Sequence, residues 1–197
     1  PDTDPLDGFP LLIKLLDASD WLSVQVHPND AQAAELEGQP RGKTEAWIIL
    51  AADPNAKLII GVKPGTDREV MAQAIRETEL EDLLVDATVS AGDVLYIPAG
   101  TVHAIGPGLM IYEVQQSSNT TYRLYDWGRM GLDGNPRELH IEKGVQVSNV
   151  DSLPEVTRPI TDPTPVVTMV EGEFFTTTLH RLDGESETTL STEGKRF

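Results

Sequence analysis

Several stretches of the chain before Trp127 alternate apolar and polar positions with a period of two. In WLSVQVHPN (21–29), Val24 and Val26 point one way and Ser23, Gln25 and His27 the other. In GKTEAWIIL (42–50), Lys43, Glu45 and Trp47 share a face opposite Thr44, Ala46 and Ile48. In LMIYEVQQSS (109–118), Glu113, Gln115 and Ser117 alternate with Tyr112, Val114 and Gln116. This period puts the two sets on opposite faces of a strand. Polar sets containing His, Glu and Gln opposite valine and isoleucine fit barrel strands whose polar face looks into a site. Further strands are expected after Pro10 (LLIKLLDAS), over 57–62, 94–97 and 122–127, and near 174–182. Helical signals interrupt the pattern. Asn29 or Asp30 caps a short helix over 31–37 that stops at Gly38. Thr66 or Asp67 starts another, with Val70, Ile75 and Leu80 as its apolar positions, and Leu83, Leu84 and Val85 continue it as a second helical patch. Residues 137–147 read as a helix with Leu139, Ile141 and Val145 on its apolar side. Residues 1–9 read as a loop, and Asp53-Pro54-Asn55, Asp133-Gly134-Asn135-Pro136 and Asp183-Gly184 are turn signals.

The pattern predicts a mainly β fold with a small helical insert at about 66–86. Residues 151–165 hold four prolines and no periodicity, which predicts a linker. Residues 166–197 read as the start of a second β-unit, too short to form a core of its own. The first domain is thus expected over 1–150. A length of 197 residues with 39% hydrophobic content allows one large or two small domains. There is no Cys, so thiolate metal sites and disulfides are excluded. No apolar run is long enough to span a bilayer, and the pattern fits a cytoplasmic protein. The net charge of −17 argues against nucleic acid and anionic membrane surfaces as partners. An anionic small substrate remains possible where a few Lys or Arg converge on one pocket.

GDVLYIPAGTVHAIG (92–106) carries the first candidate for chemistry. Pro98 stops a ladder and Gly100 permits a tight bend, which predicts a rigid hairpin corner aiming His103 inward. Gln25, His27 and Glu45, each on a polar strand face, can converge on it. Two His and a carboxylate are a common catalytic zinc set, and the same trio can hold iron(II) as a facial triad. Gln25 would add a neutral oxygen donor. Lys14 has two open readings, a buried stem with its head in solvent or a cation facing a pocket. Lys43 and Glu45 likewise read either as a pair on a solvated face or as site residues.

The motif GDVLYIPAGTVHAIG resembles the second conserved motif of cupins. LSVQVHPND, GKTEAW and YEVQQSSNTTYRLYDWGR, in this order, resemble the zinc-dependent class I mannose-6-phosphate isomerases in their short bacterial form. The resemblance covers roughly residues 10–147 and implies a cupin (RmlC-like jelly-roll) β-barrel whose catalytic domain, 1–150, lacks its first strands. It implies Zn2+ held by Gln25, His27, Glu45 and His103. It places Ser23, Lys14, Lys43 and Arg123 at the substrate and gives catalytic roles to Arg123, Lys43 and Glu113. The implied reaction interconverts mannose 6-phosphate and fructose 6-phosphate through an enediol, in mannose and nucleotide-sugar metabolism. The partner would be a small phosphosugar, and the assembly a monomer or weak homodimer. The chain ends where the second cupin unit would be completed, so a fragment is expected. Larger family members place a His before the lysine of the glutamate strand, where this chain has Gly42. A non-catalytic sugar-phosphate-binding cupin and a different cupin metalloenzyme, such as an iron dioxygenase, are the alternatives.

Overall fold

The computed structural model describes residues 8–131, 133–182, 184, 187, 189 and 190. Most of the N-terminal loop, and Asp183 of the Asp183-Gly184 turn, therefore lie outside the described residues. In chain order the elements are β1 (Leu11–Ala18), β2 (Val24–Val26), α1 (Asp30–Glu37), β3 (Glu45–Ala52), β4 (Lys57–Val62), α2 (Arg68–Arg76), β5 (Leu84–Thr88), β6 (Val94–Ile97), β7 (Ala104–Ile105), β8 (Leu109–Gln116), β9 (Tyr122–Tyr125), α3 (Ile141–Val147), β10 (Val166–Glu171) and β11 (Thr176–His180). They pair as a four-stranded sheet β1-β8-β3-β6, a three-stranded sheet β5-β4-β7, and two-stranded sheets β2-β9 and β10-β11. No helix among the described residues is long and apolar enough to cross a membrane.

Register in the four-stranded sheet grades its inner face from polar to apolar. One row across the strands is Leu12, Gln115, Glu45 and Ile97; the next is Lys14, Glu113, Trp47 and Leu95; the third contains Leu16, Ile111 and Ile49. Trp47, Ile49, Leu95, Ile97 and Ile111 share a buried cluster with Leu58, Ile60 and Ile105 of the three-stranded sheet. The polar members of the first two rows therefore sit at one end of the space between the sheets, above a dry core. The outer face carries the opposite set. Ala46, Ile48, Val94, Tyr96, Tyr112 and Val114 pack against Val167, Met169, Val170 and Phe175 of the β10–β11 hairpin. A third cluster joins Val24, Val26, Tyr122 and Leu124 to Met71 and Ile75 of α2 and Val147 of α3.

Several local expectations change in three dimensions. The corner after β6 does not close a hairpin: β6 pairs with β3, whereas β7 pairs with β4. The break at Pro98 and the left-handed Gly100 (φ 88°) carry the chain from one sheet to the other. Residues 84 and 85 are strand rather than helix. Thr78 turns out of the helix with φ 60°, and Leu84 pairs with Val62. β4 needs a partner on that edge, and the ladder overrides the helical period. In α2 the buried positions are Met71 and Ile75, four apart on one face, while Val70 is exposed. α3 begins at Ile141, because the residues just before it bond to β9: the Glu138 carbonyl accepts from Arg123 Nη1 and His140 N donates to the Arg123 carbonyl. The proline-rich segment is docked on the free edge of β6. Thr157 exchanges both backbone hydrogen bonds with Val94 at 2.9 Å, and Arg158 Nε lies 2.5 Å from Asp93 Oδ1. The capping-box helix α1, ending at the left-handed Gly38, and the turns at Asn55 and Gly134 form where the sequence predicts them.

Candidate metal centre and active-site cleft

Backbone hydrogen bonds tie together the three segments that carry the candidate ligands. Gln25 and His103 form a β-bridge with reciprocal N–H to O bonds of 2.9 Å. His27 lies just past β2, where Pro28 ends the pairing. Its carbonyl accepts from Gly100 N at 2.8 Å, and the Pro28 carbonyl accepts from Lys43 N at 3.0 Å. The corner, the end of β2 and the start of β3 are thus held to one another before any side chain is considered. Gly42 lies inside this junction. A Cβ there would sit 2.4 Å from Pro28 O and from the Asn29 carbonyl carbon, so no side chain fits on this backbone. The His that larger family members carry has no room at this position.

His27, Glu45 and His103 are buried, with ligand atoms all within 4.8 Å of one another. The Thr120 carbonyl faces His27 Nδ1 at 3.0 Å and the Thr101 carbonyl faces His103 Nδ1 at 2.9 Å. A carbonyl can only accept, so each Nδ1 carries the proton and each Nε2 presents a lone pair. Those lone pairs face Glu45: His27 Nε2 is 3.4 Å from Oε1, and His103 Nε2 is 3.7 Å from Oε2. The Lys43 ammonium lies 2.6 Å from Glu45 Oε1 and 3.1 Å from His27 Nε2. His103 Nε2 and both Glu45 oxygens nevertheless lack a hydrogen-bond partner among the described residues, the Lys43 contact being an ion pair out of hydrogen-bond alignment. Lys43 serves His27 Nε2, but His103 Nε2 and the Glu45 oxygens face one another in a buried space with no aligned donor, which is costly. A cation between them removes that cost. The two His–Glu separations are near the roughly 3.4 Å edge of a tetrahedron with bonds of about 2.1 Å, so the donor set fits a divalent metal.

The electrostatics keep the donors ready for it. Burial, with help from the neighbouring His27, pushes His103 down to about 4. Burial and the Lys43 ammonium likewise lower His27. Burial alone would raise Glu45, but Lys43 and the two imidazoles outweigh it and hold the carboxyl well below its ordinary range. Two neutral imidazoles and one carboxylate at neutral pH are the forms that bind a metal.

Gln25 continues the row on its other side. Its Cα partner on β9 is Arg123, so His103, Gln25 and Arg123 stand next to one another across three segments. Ser23, Gln25, Thr121, Arg123, Arg129 and Arg137 line a cleft of about 520 Å³. Arg123 donates from Nη1 to the Glu138 carbonyl at 2.9 Å, while its buried Nε has no partner among the described residues. Arg129 and Arg137 both pair with the buried Asp126. A larger cleft, about 670 Å³, opens on the other side of the segment carrying Thr120 and Tyr122 and is lined by Glu37, Arg41, His140 and Lys143. Lys14 and Glu113 form a separate network in the second row of the four-stranded sheet. Lys14 Nζ donates to Glu113 Oε1 at 2.8 Å and to Gln115 Oε1 at 2.5 Å, and Trp47 Nε1 donates to Glu113 Oε2 at 3.0 Å. Trp47 in turn stands edge-on to His103, with ring centroids 5.3 Å apart. The structure therefore brings Gln25, His27, Lys43, Glu45 and His103 together and sets Ser23 and Arg123 in the adjoining cleft. Lys14 and Glu113 lie one row behind. Sequence reasoning passed over Arg129, Arg137, Trp47 and the two threonine carbonyls. No residue type marks a carbonyl as a ligand's support, and the arginines follow a turn with no periodicity.

Comparison with known proteins gives this arrangement relatives. The family model of the phosphomannose isomerase type I catalytic domain matches residues 3–56. The mannose-6-phosphate isomerase of Streptococcus mutans is 50% identical over 142 residues, 72% of this chain and 44% of that protein. The mannose-6-phosphate isomerase ManA of Bacillus subtilis is 48% identical over 149 residues, 76% of this chain and 47% of that protein. Over this length the chain is similar to the type I phosphomannose isomerases. It spans about half the length of these curated relatives. Its mainly β architecture matches the cupin fold of the crystal structure of the mannose 6-phosphate isomerase from Bacillus subtilis. The TM-score is 0.78 and the identity 36%, over 87% of this chain and 55% of that one. A mutant phosphomannose isomerase from Salmonella typhimurium, 17% identical, shares the fold with a TM-score of 0.65 over 88% of this chain and 63% of that one.

Proposed function

We propose that the chain is the metal-binding catalytic part of a cytoplasmic mannose-6-phosphate isomerase that interconverts mannose 6-phosphate and fructose 6-phosphate. The observation that carries this reading is the row His103–Gln25–Arg123, which sets a buried His–Glu–His donor group beside an arginine-lined cleft. Gln25, His27, Glu45 and His103 would hold a divalent cation, and imidazole, carboxylate and amide donors without thiolate suit zinc. Bound there, the cation would supply Lewis-acid polarisation of sugar oxygens.

The chain's own residues do the rest. Ser23 offers a hydroxyl to the sugar from the cleft wall. Arg123 supplies fixed positive charge beside Gln25, where an anionic phosphosugar and its developing oxyanion gain most in so acidic a protein. Isomerisation requires a group that takes the proton from C2 and returns it at C1 through an enediol. Glu113 has both oxygens committed, one to Lys14 and one to Trp47, so it serves as wall and support. Lys43 Nζ sits against the ligand atoms of His27 and Glu45 and, acting as the neutral amine, is the better placed group to take that proton and return it. The substrate is a free phosphosugar, and the assembly a monomer or weak homodimer. On the full chain, chelation is expected to abolish isomerisation and zinc to restore it. Arg123→Ala should lower kcat by about 100-fold with bound metal unchanged. Turnover that survives both chelation and Arg123→Ala would overturn the reading.

A further inference from the structure

His140 holds Arg123 by its backbone. β9 pairs with β2 on one side only, so the N–H and C=O of Arg123 on the other edge need partners. Both are supplied by one residue: Arg123 N donates to His140 Nδ1 at 3.0 Å, and His140 N donates to the Arg123 carbonyl at 2.8 Å. The Glu138 carbonyl, two residues earlier, receives the Arg123 guanidinium at 2.9 Å. The imidazole thus stands where a neighbouring strand's carbonyl would be. Because an amide can only donate, Nδ1 carries no proton.

The helix behind it fixes the imidazole in place. His140 is the N-cap residue of α3, and its carbonyl accepts from Gly144 N at 2.8 Å. α3 lies close against β9 because residue 144 is a glycine; a Cβ there would come within 2.4 Å of Leu124 Cδ2. The Tyr122 ring lies 6.1 Å from that of His140. We infer that His140 is a positioning residue: through the Arg123 backbone it sets where the guanidinium lies beside Gln25. The inference rests on the reading that Arg123 faces the phosphosugar.

Three substitutions separate positioning from general packing. Asn bears an oxygen on Cγ, where His bears Nδ1, and can accept the Arg123 N–H. Gln carries its oxygen one carbon further out, and Ala has no acceptor. On the full chain, His140→Gln and His140→Ala are expected to lose about tenfold in kcat/KM, and a similar factor in fructose 6-phosphate affinity by calorimetry, with metal content unchanged. His140→Asn is expected to recover most of the loss. In an Arg123→Ala background, His140→Gln should add no further loss, since the group it positions is gone. Wild-type values in His140→Gln, or equal losses in His140→Asn and His140→Gln, overturn the inference. So does a full additional loss on top of Arg123→Ala. An Arg123→Ala variant that binds the sugar phosphate as tightly as the parent overturns the underlying site reading instead.

Discussion

His27 and His103 present Nε2 to Glu45 because the carbonyls of Thr120 and Thr101 take their Nδ1 protons. This tautomer is set by backbone, so substitution of either threonine side chain leaves it intact. It also makes the metal-free site acid-sensitive. His103 titrates near 6.5 when unfolded and at about 4 when folded, so between these values the unfolded chain binds the extra proton. Its contribution is whole above 6.5 and is lost as pH falls toward 4. Glu45, held below its ordinary value, works in the same direction at lower pH, because its contribution is lost as the carboxyl protonates. In urea titrations of the metal-free chain, unfolding free energy is expected to fall by roughly 3 kcal/mol between pH 6.5 and 4 from His103 alone. His103→Gln should flatten that slope, and a wild-type curve already flat over the range would contradict the burial argument.

At the scale of elements, the site is a junction of chain segments more than a property of any one strand. The β2 alternation that aligns Ser23, Gln25 and His27 is visible in the sequence. The structure keeps only Val24–Val26 in the ladder and hands His27 to the corner through Gly100 N. Gly42 is the tightest point of this junction. Gly42→Ala is expected to cost about 2–3 kcal/mol by denaturant midpoint, since the added methyl meets backbone and not a movable side chain. It should also weaken metal binding, because Lys43 and Glu45 follow directly. An unchanged midpoint would mean that the α1 N-cap and β3 separate more easily than their packing suggests. The start of α3 and the role of His140 were illegible for a related reason. Helical periodicity from 137 onward hides the fact that residues 137–140 serve β9 as a surrogate edge, a role only the neighbouring strand assigns.

On the scale of the molecule, the four-stranded sheet has two different faces with two different partners. Its inner face carries the polar rows above the core shared with the three-stranded sheet, and its outer face is covered by the β10–β11 hairpin. We propose a domain division that keeps 1–150 as the catalytic unit and 166–197 as the start of a second, with 151–165 between them. The contacts also make the hairpin a stabilising layer for the first unit. Phe175→Ala is expected to lower stability by about 3 kcal/mol, since the ring is buried against Tyr96, while leaving metal stoichiometry unchanged. Loss of metal in that variant would show that the outer layer sets the geometry of Glu45 from behind.

By itself, the sequence determined most of the strands that carry the site, which of their faces are polar, where Pro98 and Gly100 interrupt them, and which four side chains could meet around a metal, while β5, β7 and β10 escaped it. Those features depend on period, on φ restrictions and on residue chemistry, all of which are local. Only the tertiary structure decided that the corner passes between sheets, that Gln25 lies between His103 and Arg123, and that Glu113 is committed to Lys14 and Trp47. It also decided that His140 completes the edge of β9. Each of these is a pairing between residues far apart in the chain, selected by the need to satisfy buried backbone and carboxylate groups at once, and no local pattern encodes which distant partner will do so.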